Sequence, residues 1–367
     1  MRRIRIVTDK IYNVGFIGVG NIAPQYIRGL AQFPEAVKAT ACADLDMQRA
    51  QAFADENGLK AMTVEELLIS PDIDIVLNLT IPAAHAEVSL TAIAAGKHVY
   101  MEKPLAINKE DGAKVIAAAK EAGVRVGCAP DTFLGGGIQT AIKLIDDGAI
   151  GTPIAATAFM LSHGPEPWHP NPFFYYLPGG GPMLDMGPYY MTALVALVGP
   201  IEQVAGMSGA GVQKRTAGHE SIAGQDIPIN VNTHYSGSLR FANGAIGTAV
   251  MSFDIYAHHV PRIEVHGTEG SLSIPDPNTF GGEVQLWTPD KREWVDMPLT
   301  HRDDVGRGIG VADMALGIRE DRPHRASGDL ANHVLEVMLA FDESSESGKF
   351  IDIQTQLERP AVLPINK

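Results

Sequence analysis

Along the first third of the chain, short apolar runs alternate with longer stretches of helical spacing. The runs 14–17, 37–43, 73–79, 98–101 and 125–128 read as strands. The alanine-rich stretches 22–33, 47–56, 83–95 and 109–122 separate them, with apolar positions three and four apart. End signals agree with this division. Thr63 and Glu66 have capping-box spacing, Asn108 can cap the helix that follows it, and Gly58, Gly96 and Gly123 stand at C-cap positions. Strands alternating with helices predict right-handed βαβ units and a parallel sheet covered on both faces. Ile75-Val76-Leu77 shows no polar alternation, as expected of a strand buried on both sides.

Beyond about residue 150 the pattern changes to short β-type runs at 155–160, 203–207, 234–241, 245–253, 262–266, 271–274 and 283–287. Asn243-Gly244, Thr268-Glu269-Gly270 and Pro275-Asp276-Pro277-Asn278 punctuate them, the first as a tight hairpin turn. Only 182–198 and 326–346 read as helices there. Clustered strands with few helices predict an antiparallel α+β second domain. The expected division is 1–133 and 134–367, with Gly135-Gly136-Gly137 as a hinge.

Composition narrows the function. The chain has 367 residues and a formal net charge of −14, which repels phosphate backbones and anionic membrane surfaces. Nucleic-acid and membrane partners are therefore not expected, and no apolar run approaches the ~18 residues of a membrane span. Met1–Lys10 has three arginines, two of them adjacent, but no following apolar segment, so neither a secretory nor a twin-arginine signal is read. Two cysteines, Cys42 and Cys128, make no disulfide framework, and a cytoplasmic home is expected.

Gly18-Val19-Gly20-Asn21-Ile22-Ala23 follows the first strand and opens the first helix, the G-x-G-x-x-G/A pattern of dinucleotide binding. Gly18 allows the tight turn, Gly20 the approach of a pyrophosphate, and Ala23 close packing of helix on strand. The phosphates would rest on N–H groups near Asn21 and Ile22. Asp44 lies 26 residues after Gly18, near the ~20-residue offset of the acid that accepts from the adenosine ribose. That favours NAD. NADP stays open, because Arg49 can meet a 2′-phosphate. Leu79 ends the run 73–79, Thr80, Pro82 and His85 follow it, and Glu102 and Lys103 close the run 98–101, all where a doubly wound sheet binds its ligand. Glu102 is expected to accept from ribose or nicotinamide groups.

The second cluster is the segment 178–190, in which Asp185 and Tyr189 share one helix face at i, i+4. Oxidising an alcohol carbon needs a base for the hydroxyl proton. A tyrosine serves if a cation such as Lys103 lowers its pKa from ~10. Tyr190, next in sequence, competes for that role. The aromatic, proline-rich stretch 165–176, with Trp168, reads either as a substrate rim, since flat rings suit the C–H faces of sugars, or as an aromatic plug on the sheet. His163, His169, His258 and His259 lack metal-ligand spacing, so no metal is expected.

Gly18–Ala23, the tripeptide Glu102-Lys103-Pro104 and the Gly-Gly-Gly…Asp-x-Gly segment at 179–187 together resemble the glucose–fructose oxidoreductase, inositol dehydrogenase and MocA family. The resemblance runs over essentially the whole chain. It implies a Rossmann domain, then a large, open, mainly antiparallel sheet domain that forms oligomer contacts, as a dimer or tetramer. It also implies NAD(P)-dependent hydride transfer on sugars, cyclitols or related polyols. By this resemblance Lys103 contacts cofactor and substrate, and Asp185 lies in the active site with Tyr189 and Tyr190 nearby. The common pattern is Asp-x-x-x-His, whereas this chain has Tyr189 at the histidine position, as in glucose–fructose oxidoreductases and dihydrodiol dehydrogenases. Two rival readings stand beside a dehydrogenase: a glycosidase that oxidises its sugar transiently with bound NAD, and a non-catalytic dinucleotide sensor.

Overall fold

A computed structural model describes residues 9–365. The signal expectation for the first ten residues therefore lies almost wholly outside the described residues. The parallel sheet is built from β1 (Tyr12–Ile17), β2 (Val37–Ala43), β3 (Lys60–Ala61), β4 (Ile75–Asn78), β5 (His98–Met101) and β6 (Val126–Cys128). The order β3-β2-β1-β4-β5-β6 is that of the doubly wound dinucleotide fold, with its reversal between β1 and β4. Helices α1 (Ala23–Leu30), α2 (Met47–Asn57), α3 (Val64–Ile69), α4 (His85–Ala94) and α5 (Lys109–Ala122) connect the strands. All four residues of β4 are buried. Thr63 and Glu66 form the expected capping box, and Gly58 closes α2 at φ +66°.

The second sheet is larger. Helix α6 (Gly136–Asp146) precedes β7 (Pro153–Leu161) and α7 (Gly181–Val198). Then come β8 (Ile201–Gly209), the small pair β9 (Lys214–Thr216) and β10 (Asp226–Pro228), β11 (His234–Phe241), β12 (Ile246–Ser252), β13 (Ile263–Gly267) and β14 (Ser271–Ile274). β15 (Val284–Trp287), β16 (Trp294–Met297), α8 (Ile309–Glu320), α9 (Gly328–Ser347) and β17 (Ile351–Asp352) complete the chain. Nine strands run in the order β16-β15-β14-β13-β7-β12-β11-β8-β17, antiparallel except for β7 with β12. Asn243-Gly244 makes the expected hairpin turn, with Gly244 at φ +87°. The almost wholly buried α7 packs on β7, β11, β12 and β13. Among the described residues no helix is long and apolar enough to cross a membrane.

The chain divides into two compact units, but not by one cut near Phe133. Of the described residues, the first comprises 9–106, 110–131 and 305–332; the second comprises 107–109, 132–304 and 333–365. The segment 305–332, expected with the second domain, returns to the first unit. Asp131 holds it there: its Oδ2 accepts from the N–H groups of Gly308 (2.7 Å) and Gly310 (3.1 Å). His324 is a second pin, with Nε2 3.0 Å from the Val126 carbonyl. The tri-glycine at 135–137 is no hinge. It is buried at the start of α6, where a Cβ on Gly135 would meet the Phe280 carbonyl oxygen at 2.2 Å and one on Gly137 the Gly281 carbonyl oxygen at 2.6 Å. These glycines let the helix press on backbone. Cys42 and Cys128 are free thiols, buried in the first unit.

Candidate active site

In the first unit the expected cofactor residues gather at the carboxyl ends of β1, β2, β4 and β5. Gly18 sits at φ +89°, and a Cβ there would lie 2.8 Å from the Leu79 carbonyl oxygen, so this turn requires glycine. Gly20 is the reverse: exposed, with nothing within 4 Å of where its Cβ would stand. Backbone there is open to a ligand. Ala23 N–H turns back to the Gly20 carbonyl, and Pro24 has no N–H. Any phosphate cradle thus draws on the N–H groups ahead of Ala23, those of Asn21 and Ile22 among them.

Asp44 does double duty at the end of β2. Its Oδ2 accepts from Val19 N–H at 3.0 Å, bracing the glycine turn, and its Oδ1 faces the Arg49 guanidinium at 3.6 Å. A carboxylate with up to four acceptor positions keeps capacity for a ribose hydroxyl.

After β4, the fully buried Asn78 organises the next turn. Its Oδ1 accepts from Thr80 N–H and from Thr80 Oγ1 (2.6 Å), and its Nδ2 donates to the His85 carbonyl and to Ser89. Sequence reading missed Asn78; a buried polar residue at a strand end was the available signal. His85, expected to line the crevice, is instead only 1% exposed. Its Nδ1 lies 2.7 Å from the Pro104 carbonyl and its Nε2 3.0 Å from the Thr80 carbonyl. Burial lowers its pKa, against the opposing pull of those two carbonyls. The ring braces the Thr80 turn against the Lys103-Pro104 turn, and neither nitrogen is left for a cofactor. Leu79 is buried, whereas Thr80 and Pro82 are half-exposed.

Glu102 is likewise engaged within the protein. Its Oε1 accepts from Tyr26 Oη at 2.8 Å and faces Arg307 at 3.8 Å, and its Oε2 accepts from Lys103 N–H at 3.1 Å. The expected ribose or nicotinamide contact becomes a clamp on the lysine's backbone. Lys103 itself is half-exposed at the end of this clamp. Arg307, about two hundred residues downstream, carried no sequence signal.

In the second unit Asp185 is half-buried in the second turn of α7, and Tyr189, one turn on, is buried on the same face. Tyr190 points elsewhere in its environment. It is fully buried, and its raised pKa comes from burial first, then from the nearby Asp276 carboxylate, opposed by Arg262. Arg262 precedes β13 and Asp276 follows β14.

The aromatic stretch before α7 is held by a buried ion-pair cluster. Arg215, in the centre of β9, donates to Glu166 Oε1 (2.6 Å), to the His163 carbonyl (2.6 Å) and to Asp254 Oδ1. Tyr176 Oη donates to the other Glu166 oxygen. Buried charges of this kind persist only when paired and hydrogen-bonded. Trp168, by contrast, is 64% exposed, so this stretch does not simply plug the sheet. His169 lies at the centre of an aromatic group, its ring edge-on to Trp168 (5.4 Å), Phe174 (5.6 Å) and Tyr175 (5.3 Å). Burial lowers its pKa, and the Asp185 carboxylate, within electrostatic reach, pulls it upward. Sequence reading gives His169 no metal role and includes it only as part of the candidate rim 165–176. Among the described residues no group of three or more His, Cys, Asp and Glu is placed to hold a metal ion.

Comparison with known proteins agrees with both units. The family model described as "Oxidoreductase family, NAD-binding Rossmann fold" matches residues 12–129. That for the GFO/IDH/MocA C-terminal domain matches residues 138–273. The chain is 34% identical over 269 residues to a 1,5-anhydro-D-fructose reductase of Ensifer adhaerens, covering 70% of this chain and 74% of that protein. It is 26% identical over 288 residues to the levoglucosan dehydrogenase of Pseudarthrobacter phenanthrenivorans, covering 71% and 72%. Among solved structures, a levoglucosan dehydrogenase in complex with NADH and L-sorbose superposes with a TM-score of 0.81 at 23% identity, over 95% of this chain and 100% of that one.

Proposed function

The chain belongs to the GFO/IDH/MocA oxidoreductase family, and from that premise we propose an NAD-dependent dehydrogenase or reductase acting on the hydroxyl or carbonyl carbon of a sugar, cyclitol or related polyol. The observation that carries this reading is the glycine turn, in which Gly18 is locked against Leu79 while Gly20 opens its backbone to solvent at the strand-order reversal. That is the shape a dinucleotide pyrophosphate needs. When bound, the nicotinamide supplies or accepts the hydride.

The chain's own residues supply the rest. Tyr189 Oη takes the hydroxyl proton as the carbonyl forms, or returns it in reduction. Lys103 Nζ donates to the substrate oxygen, as the family resemblance implies. Asp185 accepts from a substrate hydroxyl and so orients it. Tyr189, not Tyr190, takes the proton role because it shares a helix face with Asp185. NAD is favoured over NADP because the Asp44 carboxylate accepts from a free ribose hydroxyl and repels a 2′-phosphate. Arg49 beside it (3.6 Å) supports some NADP use.

The test is a panel of 1,5-anhydro-D-fructose, levoglucosan and myo-inositol, each run with NAD(H) and NADP(H), following nicotinamide absorbance. The expected result is turnover of at least one compound with a preference for NAD(H), and a shift toward NADP(H) in Asp44→Ala. Release from aryl glycosides without net absorbance change would instead support the glycosidase reading. Tight NAD binding without hydride exchange on any compound would support the sensor.

A further inference from the structure

His169 stands in a setting that fixes what its imidazole can do. Its Nδ1 accepts a hydrogen bond from Asn171 N–H at 3.0 Å, which requires that nitrogen to be unprotonated. The neutral ring therefore carries its proton on Nε2. Such a ring is a directed donor and not a base, since its one basic nitrogen is already occupied. Trp168, Phe174 and Tyr175 surround it edge-on, and the Trp168 ring beyond them is exposed. Asp185, in the second turn of α7 of the same unit, supplies a carboxylate acceptor. Prolines 165, 167, 170 and 172 stiffen the segment, and Arg215 fixes its base through Glu166.

A directed donor flanked by an exposed flat ring matches one ligand chemistry. A cyclic polyol presents a C–H face together with hydroxyls that both accept and donate. Resting on the oxidoreductase reading above, we propose that His169 is a substrate-binding residue, whose Nε2–H donates to a ring hydroxyl of a cyclic polyol seated against Trp168 while Asp185 accepts from an adjacent hydroxyl. The imidazole thus serves recognition, and the proton chemistry stays with Tyr189.

Two isosteres separate this role from a purely structural one. His169→Gln places an amide N–H near the position of Nε2 and keeps the donor. His169→Asn places an oxygen near Nδ1, keeps the acceptor for Asn171 N–H, and loses the donor. Both are assayed on 1,5-anhydro-D-fructose, levoglucosan and myo-inositol, with binding read independently from Trp168 fluorescence in a Trp287→Phe, Trp294→Phe background. The expected result is a KM near the starting value for Gln and a KM about tenfold higher for Asn with kcat little changed. The weakening in fluorescence titrations should match. If Asn behaves as the unsubstituted protein and Gln does not, His169 shapes its turn and the proposal is overturned. It is overturned equally if both variants lose kcat at constant KM, which would make the ring part of the proton chemistry. Unsubstituted protein inactive on all three compounds would remove the oxidoreductase reading itself. Active protein with both variants unchanged would remove only this inference.

Discussion

The strand ends of the first unit and the aromatic segment of the second hold their functional side chains by opposite means. At the strand ends the constraints are mostly short in sequence: Asn78 holds Thr80 and His85, Glu102 holds the N–H of Lys103, and Asp44 braces Val19 across one βα unit. Around Trp168 and His169 the constraint is remote and ionic. Glu166 is fixed by Arg215, 49 positions away on a two-stranded ribbon, and Arg215 in turn by Asp254. Backbone-directed local bonds repeat wherever the motif occurs, and they leave a fixed spacing in the chain. A buried ion pair specifies one segment's path in one protein, and it leaves no spacing to read.

The comparison can be broken at several points. The largest effect is expected from Tyr189→Phe, which should lower turnover by about 10²–10⁴-fold while dinucleotide binding is kept, as loss of a general acid–base group does. Fluorescence titration with NADH beside steady-state rates checks both halves of that statement. Next comes Arg215→Met, which strands Glu166 as a buried charge and Asp254 as a half-buried one. A loss of about 3–5 kcal/mol is expected, read from the urea midpoint.

His324 gives the pH dependence. Burial chiefly lowers its pKa from the usual 6.5 to about 4 in the folded protein. The unfolded chain therefore binds the extra proton first as pH falls. Stability is full above about 6.5 and declines toward pH 4, by about 3 kcal/mol from this residue. Urea unfolding at pH 7.5 and pH 4 should show that difference shrinking in His324→Gln. The smallest effect belongs to the local bonds. His85→Phe removes the ring's single N–H donor from the Thr80 and Pro104 carbonyls it lies between, and about 1–3 kcal/mol is expected. A larger loss there than in Arg215→Met would reverse the contrast between the two regions.

This contrast also explains what the sequence made legible. The doubly wound order, the glycine turn, Asp44 and the Asp185–Tyr189 face follow from period, spacing and cap chemistry, all local quantities. The return of 305–332 to the first unit was not legible, because it depends on Asp131 capping backbone N–H groups about 180 residues downstream. Helices α6 and α8 went unread for a related reason. Their glycines, which lower helical propensity, are there for close approach: Gly136 to the His301 carbonyl oxygen, and Gly310 to the Tyr100 hydroxyl. His85 and Glu102 were assigned to the ligand because of where they stand in the motif. Only their partners show that both are used to hold the lysine's turn.

Isotope transfer tests the central claim most directly. NADH deuterated at nicotinamide C4 on one face, then on the other, is incubated with 1,5-anhydro-D-fructose, and the product is read by mass spectrometry. The account predicts one deuterium on the reduced carbon from a single face, with the yield collapsing in Tyr189→Phe. Unlabelled product, or label delivered equally well without the Tyr189 hydroxyl, would contradict it.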